Sequence, residues 1–130
     1  MDSMLIVDAA NVVGSVPDGW WRDRHGAAER LRDALSAYAD TGLPGLIAPP
    51  VELVLVVEGA ARGVESAGDV RVVAASGSGD DRIVQLVAEE CGDRDCLVVT
   101  ADRELRTRVQ ALGARVTGPR AVRPGGRGEA

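Results

Sequence analysis

The feature that most constrains this chain is a set of short, unbroken apolar runs that stop at or just before an acidic residue. Met4-Leu5-Ile6-Val7 ends at Asp8, Leu53-Val54-Leu55-Val56-Val57 ends at Glu58, and Cys96-Leu97-Val98-Val99 leads through Thr100-Ala101 to Asp102. A run without alternation leaves no face for water, so these segments read as strands covered on both sides, as in a parallel sheet. Val70 to Ala74 has the same character, and Arg115-Val116-Thr117 is a more polar candidate for an edge, which gives about five strands.

Helical patterns separate the runs. Ala28, Leu31, Leu35 and Tyr38 share one face of a helix expected over roughly 26 to 41, with Gly42 as its stop. Ile83, Leu86, Val87 and Cys91 form a second stripe ending at Gly92, and Leu105, Val109 and Leu112 a third ending at Gly113. Strand and helix in alternation imply parallel strands with right-handed crossovers, hence an α/β fold: a three-layer α/β/α sandwich with ligands at the carboxyl ends of the strands. The proline-rich stretch Leu43 to Pro50 is expected to be a loop. With 130 residues the chain fits one domain, expected over residues 1–118, followed by a flexible Arg/Gly/Pro-rich tail over 119–130.

Cys91 and Cys96 fit no metal-ligand spacing and fall in different predicted elements, so they read as reduced packing residues of a cytoplasmic protein, with no disulfide. No apolar run reaches the roughly 18 residues of a membrane span, and no basic segment precedes the first run, so neither a membrane nor secretion is expected. The net charge of −5 argues against a strong non-specific grip on a phosphate backbone, which depends on surplus cations.

The acids are the chemical signal. Asp8, Glu58 and Asp102 lie just beyond strand ends, and a Gly-Ser loop delivers Asp80-Asp81 to a helix start, so all point toward one rim of the sheet. Carboxylates gathered in this way repel one another, and a hard divalent ion such as Mg²⁺ or Mn²⁺ relieves that repulsion with oxygen ligands. Each acid also has a local reading. Ser78 with Asp81 resembles a capping box, Asp102 suits a helix N-cap, and Asp8 with Asn11 suits a turn.

Leu5-Ile6-Val7-Asp8-Ala9-Ala10-Asn11-Val12-Val13-Gly14, Val56-Val57-Glu58-Gly59, Gly79-Asp80-Asp81-Arg82-Ile83 and Val98-Val99-Thr100-Ala101-Asp102-Arg103-Glu104-Leu105 stand in the order and register of one family. On these four motifs the chain, from residue 4 to about 117, resembles the YacP-like NYN domains of the PIN-like nuclease superfamily. The resemblance implies a sheet in the order 3-2-1-4-5 and metal-dependent hydrolysis of RNA that leaves a 5′-phosphate. It carries roles onto matching positions: Asp8 as the first acid, Asp80 or Asp81 as the acid at the start of the central helix and Asp102 as the acid after strand four, so that Asp8, Asp81 and Asp102 are expected as catalytic acids with Asn11 beside them, and Asp8, Asp80, Asp81, Asp102 and Glu58 as metal ligands. Asn11, Thr100, Arg103 and Trp21 are the residues expected to meet substrate. Two departures stand out: Ala9-Ala10 replaces a commoner Gly-aromatic pair, and Glu58 occupies a place where Asp is frequent. RNA, including mRNA on the ribosome, is the implied partner, and pairing of two copies is a further expectation.

Cations and aromatics complete the picture. Arg22, Arg24, Arg103, Arg106, Arg108, Arg120, Arg123 and Arg127 are candidates to reach a phosphate backbone, although most read equally well as solvated helix surface. Trp20 and Trp21 could stack unpaired bases, with at least one of them expected in the core. The lone His25 receives no role. Two rivals compete with the endoribonuclease. One is a non-catalytic RNA- or ribosome-binding module of the same fold. The other is a phosphatase or nucleotide hydrolase, for which neither an Asp-x-Asp pair after the first strand nor a phosphate-binding Gly-Lys loop is present.

Overall fold

The structure is a computed structural model in which residues 2–16 and 19–122 are described. Strands β1 (Ser3–Asp8), β2 (Val51–Val57), β3 (Val70–Ala74), β4 (Cys96–Val99) and β5 (Arg115–Thr117) form one sheet in the order β3-β2-β1-β4-β5. Every pairing is parallel, with Asp8 opposite Val56 and Val7 opposite Val99. This is the expected α/β sandwich, and the unbroken apolar runs are its strands.

Alternation along each strand divides the core in two. Leu5, Val7, Leu53, Leu55, Val57, Leu97 and Val99 face helices α1 (Ala9–Gly14) and α2 (Arg24–Leu35). Met4, Ile6, Val54, Val56 and Val98 face α4 (Gly79–Leu86) and α5 (Arg103–Gln110), meeting Ile83, Leu86, Leu105 and Val109. By the same alternation the last residue of β1, Asp8, shares the side of Ile6, beneath α4 and α5.

Several expected boundaries shift. The helix expected over 26 to 41 is two helices, α2 and the short α3 (Tyr38–Thr41), because the chain breaks at Ser36 after the amide of Ser36 bonds back to Asp33. Gly42 is the stop, with φ of +63° that side chains resist. Leu112 lies past the end of α5 and is exposed, so it does not belong to the buried stripe. Beyond residue 118, Pro119 begins a 3-10 turn and Val122 is buried in the α1–α2 side of the core. The remainder of the expected tail, with Arg123 and Arg127, lies outside the described residues.

Cys91 and Cys96 are joined by a disulfide, contrary to the expectation of free thiols. Four residues lie between them, and placing them in different elements had counted against contact. It is instead the cause of contact: α4 continues into a π-helical turn (Val87–Cys91), Gly92 reverses the chain at φ +49°, and the return brings the start of β4 within a Cα separation of 6.0 Å. The compartment argument drawn from reduced cysteines falls with that expectation. No helix among the described residues is long and apolar enough to cross a membrane.

Candidate functional site

The carboxyl edge of the sheet begins at Asp8, which is only 4% exposed. As N-cap of α1 its Oδ1 accepts the Asn11 amide at 3.4 Å, a weak bond, and its Oδ2 accepts the Thr100 hydroxyl at 3.0 Å. Burial pushes the Asp8 carboxyl up from 3.8 to about 6; the Thr100 hydroxyl and the Asn11 amide oppose that rise, while Asp80 and Glu58 add repulsion. A carboxylate in this state is one that a cation would stabilise strongly.

The resemblance implies that Thr100 meets substrate; the structure gives its hydroxyl two partners within the protein. It is fully buried, and its Oγ1 both donates to Asp8 and accepts the Asp102 amide at 3.2 Å, so it couples the first acid to the third. Asn11 is similarly engaged: its Oδ1 accepts the Ala101 amide at 2.9 Å and clamps α1 to the turn after β4. Asp102 then caps α5, its Oδ1 accepting the Leu105 amide at 3.0 Å. The local reading of this acid is correct as far as it goes.

Across β2, Glu58 reaches the start of α4, where its Oε2 accepts the Gly79 amide at 3.1 Å. A Cβ at position 79 would stand 3.1 Å from Glu58 Oε1, so glycine permits this close approach. The next residue, Asp80, is half-buried, and its carboxyl is raised by burial and by the charges of Asp102 and Glu58, with Arg108 opposing. Asp81 stands apart: its side chain is 71% exposed and pairs with the Arg108 guanidinium at 3.0 Å. Consecutive helical residues point about 100° apart, so only one of the two can face the sheet. Asp80 is the more buried of the pair, whereas the motif left the two open and Asp81 was the one expected to be catalytic.

Four acids therefore influence one another: Asp80 is coupled to Asp8, Glu58 and Asp102, and Glu58 also to Asp8. Among the described residues, no three acid, histidine or cysteine side chains stand close enough to form a ready-made metal cage. The donor set is nevertheless all oxygen, with mutually repelling charges. Mg²⁺ accepts such a set, since it takes one or two carboxylates and keeps several waters.

The other expected participants are scattered. Arg103 opens α5 on the exposed side of the Asp102 cap. His25 lies on α2, 3.5 Å from Glu29. Neither Trp enters the core: Trp21 is 54% exposed, and Trp20 is half-buried beside Ala9, Ala10, Arg24 and Glu58, in a cleft that the strand and helix pattern gave no means of finding. Among the described arginines, Arg108 is the one the structure ties to the acids.

No family model matches this chain, and no curated protein matches it by sequence. Among solved structures it is similar to a mutant form of Rae1 (YacP) from Bacillus subtilis, with a TM-score of 0.68 at 18% identity over 92% of this chain and 70% of that one. At that identity the likeness shows the fold, which is YacP-like, with the expected strand order.

Proposed function

We propose that this chain is a metal-dependent endoribonuclease, hydrolysing RNA phosphodiesters at the carboxyl edge of its sheet. The observation that carries the reading is the coupled set Asp8, Asp80, Asp102 and Glu58, with the buried Asp8 carboxyl raised to about 6. The YacP-like fold and the four motifs shared with YacP-like NYN domains support it. The acids would hold Mg²⁺ or Mn²⁺, Asp80 taking the role first given to Asp81.

A bound divalent ion would neutralise charge on the phosphate and make a water molecule easier to deprotonate. The chain's own contribution is placement. Thr100 holds Asp8 and the Asp102 amide in one hydrogen-bonded unit, and Asn11 fixes the turn from which α5 starts. Glu58 and Gly79 fasten the beginning of α4, so Asp80 is presented from a rigid helix end.

A second reading, a non-catalytic RNA- or ribosome-binding module, draws on the Asp81–Arg108 pair and on the absence of a ready-made three-acid group among the described residues. Incubating labelled single-stranded RNA with Mn²⁺ or with EDTA, for the wild type, Asp8→Asn and Asp80→Asn, separates the two. The nuclease reading expects cation-dependent cleavage by the wild type and a loss of at least about a hundredfold in each variant. Binding without cleavage, or equal cleavage by all three, would establish the second reading or a contaminant instead.

A further inference from the structure

Beside the acids lies a cleft of about 270 Å³ that their chemistry does not account for. Its walls come from Ala9, Ala10 and Val13 of α1, Trp20, Arg24 and the turn at Glu58-Gly59. We propose that this cleft receives one unpaired base of the RNA strand whose backbone crosses the acids. The inference rests on the nuclease reading and deepens it.

Size is the first argument. Pockets for drug-sized ligands run from roughly 300 to 1,000 Å³, so this one suits a single base rather than a length of chain. Chemistry is the second. Trp20 offers an aromatic surface in a chain whose only other aromatics are Trp21 and Tyr38. The ring does not float: it packs over Gly14, whose added Cβ would lie 3.7 Å from it, and the Arg24 guanidinium sits 5.4 Å from its centroid. An aromatic held in place before binding loses little freedom when a base stacks on it.

Charge and continuity are the third. The protein is acidic overall, yet Arg24 and Arg22 each stand over an indole, Arg22 at 5.7 Å from Trp21. Guanidinium and aromatic groups together form the surface that single-stranded nucleic acids use, the cation meeting the backbone and the ring meeting the base. Glu58 lines the cleft and also belongs to the acid set, while Ala9 follows Asp8 directly, so a base in the cleft has its phosphate near the acids. A paired base cannot enter, because it would first have to leave its stack.

The test uses fluorescence of Trp20 in a Trp21→Phe background, where it is the sole tryptophan. Adenosine 5′-monophosphate with Mg²⁺ is titrated against ribose 5-phosphate, which has the phosphate but no base. The nucleotide should quench the emission and the sugar phosphate should not. Ala10→Leu, at an exposed position of α1, should fill the cleft and weaken nucleotide binding at least about tenfold, the usual worth of one stacked base. Equal quenching by ribose 5-phosphate, or unchanged affinity in a folded Ala10→Leu variant, overturns the proposal. Base-dependent quenching that Ala10→Leu removes, in a protein that cuts no RNA, upholds the base site and overturns the nuclease reading alone.

Discussion

Replacing Asp8 by Asn should stabilise the protein near neutral pH while removing the RNA cleavage proposed for it. Burial raises the Asp8 carboxyl from 3.8 to about 6, so the fold favours the protonated form. A raised carboxyl contributes stability that is fully present below pH 3.8 and is lost as pH climbs through about 6. A shift of about two units at 1.36 kcal/mol each means that about 3 kcal/mol is lost by pH 7.5. Asn carries no charge, so it escapes this loss. It cannot accept from both Thr100 and the Asn11 amide as the carboxylate does, and one lost hydrogen bond costs about 1 kcal/mol. The net expectation is about 2 kcal/mol in favour of Asp8→Asn at pH 7.5 in EDTA, with no advantage or a slight deficit at pH 4. Urea denaturation followed by circular dichroism at both pH values measures it. Mn²⁺ at a hundred times its dissociation constant should then add about 2.7 kcal/mol to the wild type and far less to the variant. A variant less stable than wild type at pH 7.5, by the same amount as at pH 4, would refute the claim that Asp8 is held in a charge-disfavouring pocket.

Thr100→Val removes the hydroxyl that lowers the Asp8 carboxyl and that accepts the Asp102 amide; carboxyl-carbon NMR should show the Asp8 midpoint moving above 6, with a stability loss of about 1–3 kcal/mol in denaturation. Arg108→Ala should change stability by less than about 1 kcal/mol, because its bond to Asp81 is exposed, yet it should raise the Asp80 carboxyl further, since Arg108 is the charge that opposes its rise; the same NMR titration reads both. Reducing the Cys91–Cys96 disulfide, or replacing both residues by Ser, should cost about 2 kcal/mol through the short loop it closes, read as a lower urea midpoint.

How far the sequence reveals this fold depends on the scale of the signal. Strands β1, β2 and β4 are legible because an unbroken apolar run of four or more residues has few other homes, and their ends are legible because a polar residue interrupts each run. The π-helical turn that carries Cys91 to Cys96 is not legible, since no periodicity records a helix that widens in its last turn. Helix α1 is hidden for a similar reason: Ala9–Gly14 is six residues with two valines, too short for an amphipathic pattern and poor in propensity, and it forms because Asp8 caps it and Val12 is buried. The choice between Asp80 and Asp81 was beyond the motif, because adjacent identical residues differ only in the direction the helix gives them. Thr100 and Asn11 were found by resemblance, but their tasks came from hydrogen bonds across 90 or more residues of sequence.

The local and joint readings of the acids turn out to rest on one geometric fact. In a parallel sheet each strand leads at its carboxyl end toward a helix N-terminus, so residues that cap helices are gathered along one rim. Asp8 caps α1 and Asp102 caps α5, and either could be kept for that alone. Asp80 cannot. The cap of α4 is Ser78, whose hydroxyl accepts the Asp81 amide, and Asp81 has Arg108 for company. Asp80 is turned instead toward Asp102 and Glu58, where burial and like charge raise its carboxyl. A favourable interaction with the amino end of α4 offsets part of that cost, but the same interaction is open to an outward-facing acid such as Asp81 at less expense. Under the nuclease reading a bound cation would relieve that repulsion beyond what Arg108 supplies, which makes Asp80 the residue whose replacement best distinguishes a cation site from a coincidence of helix caps.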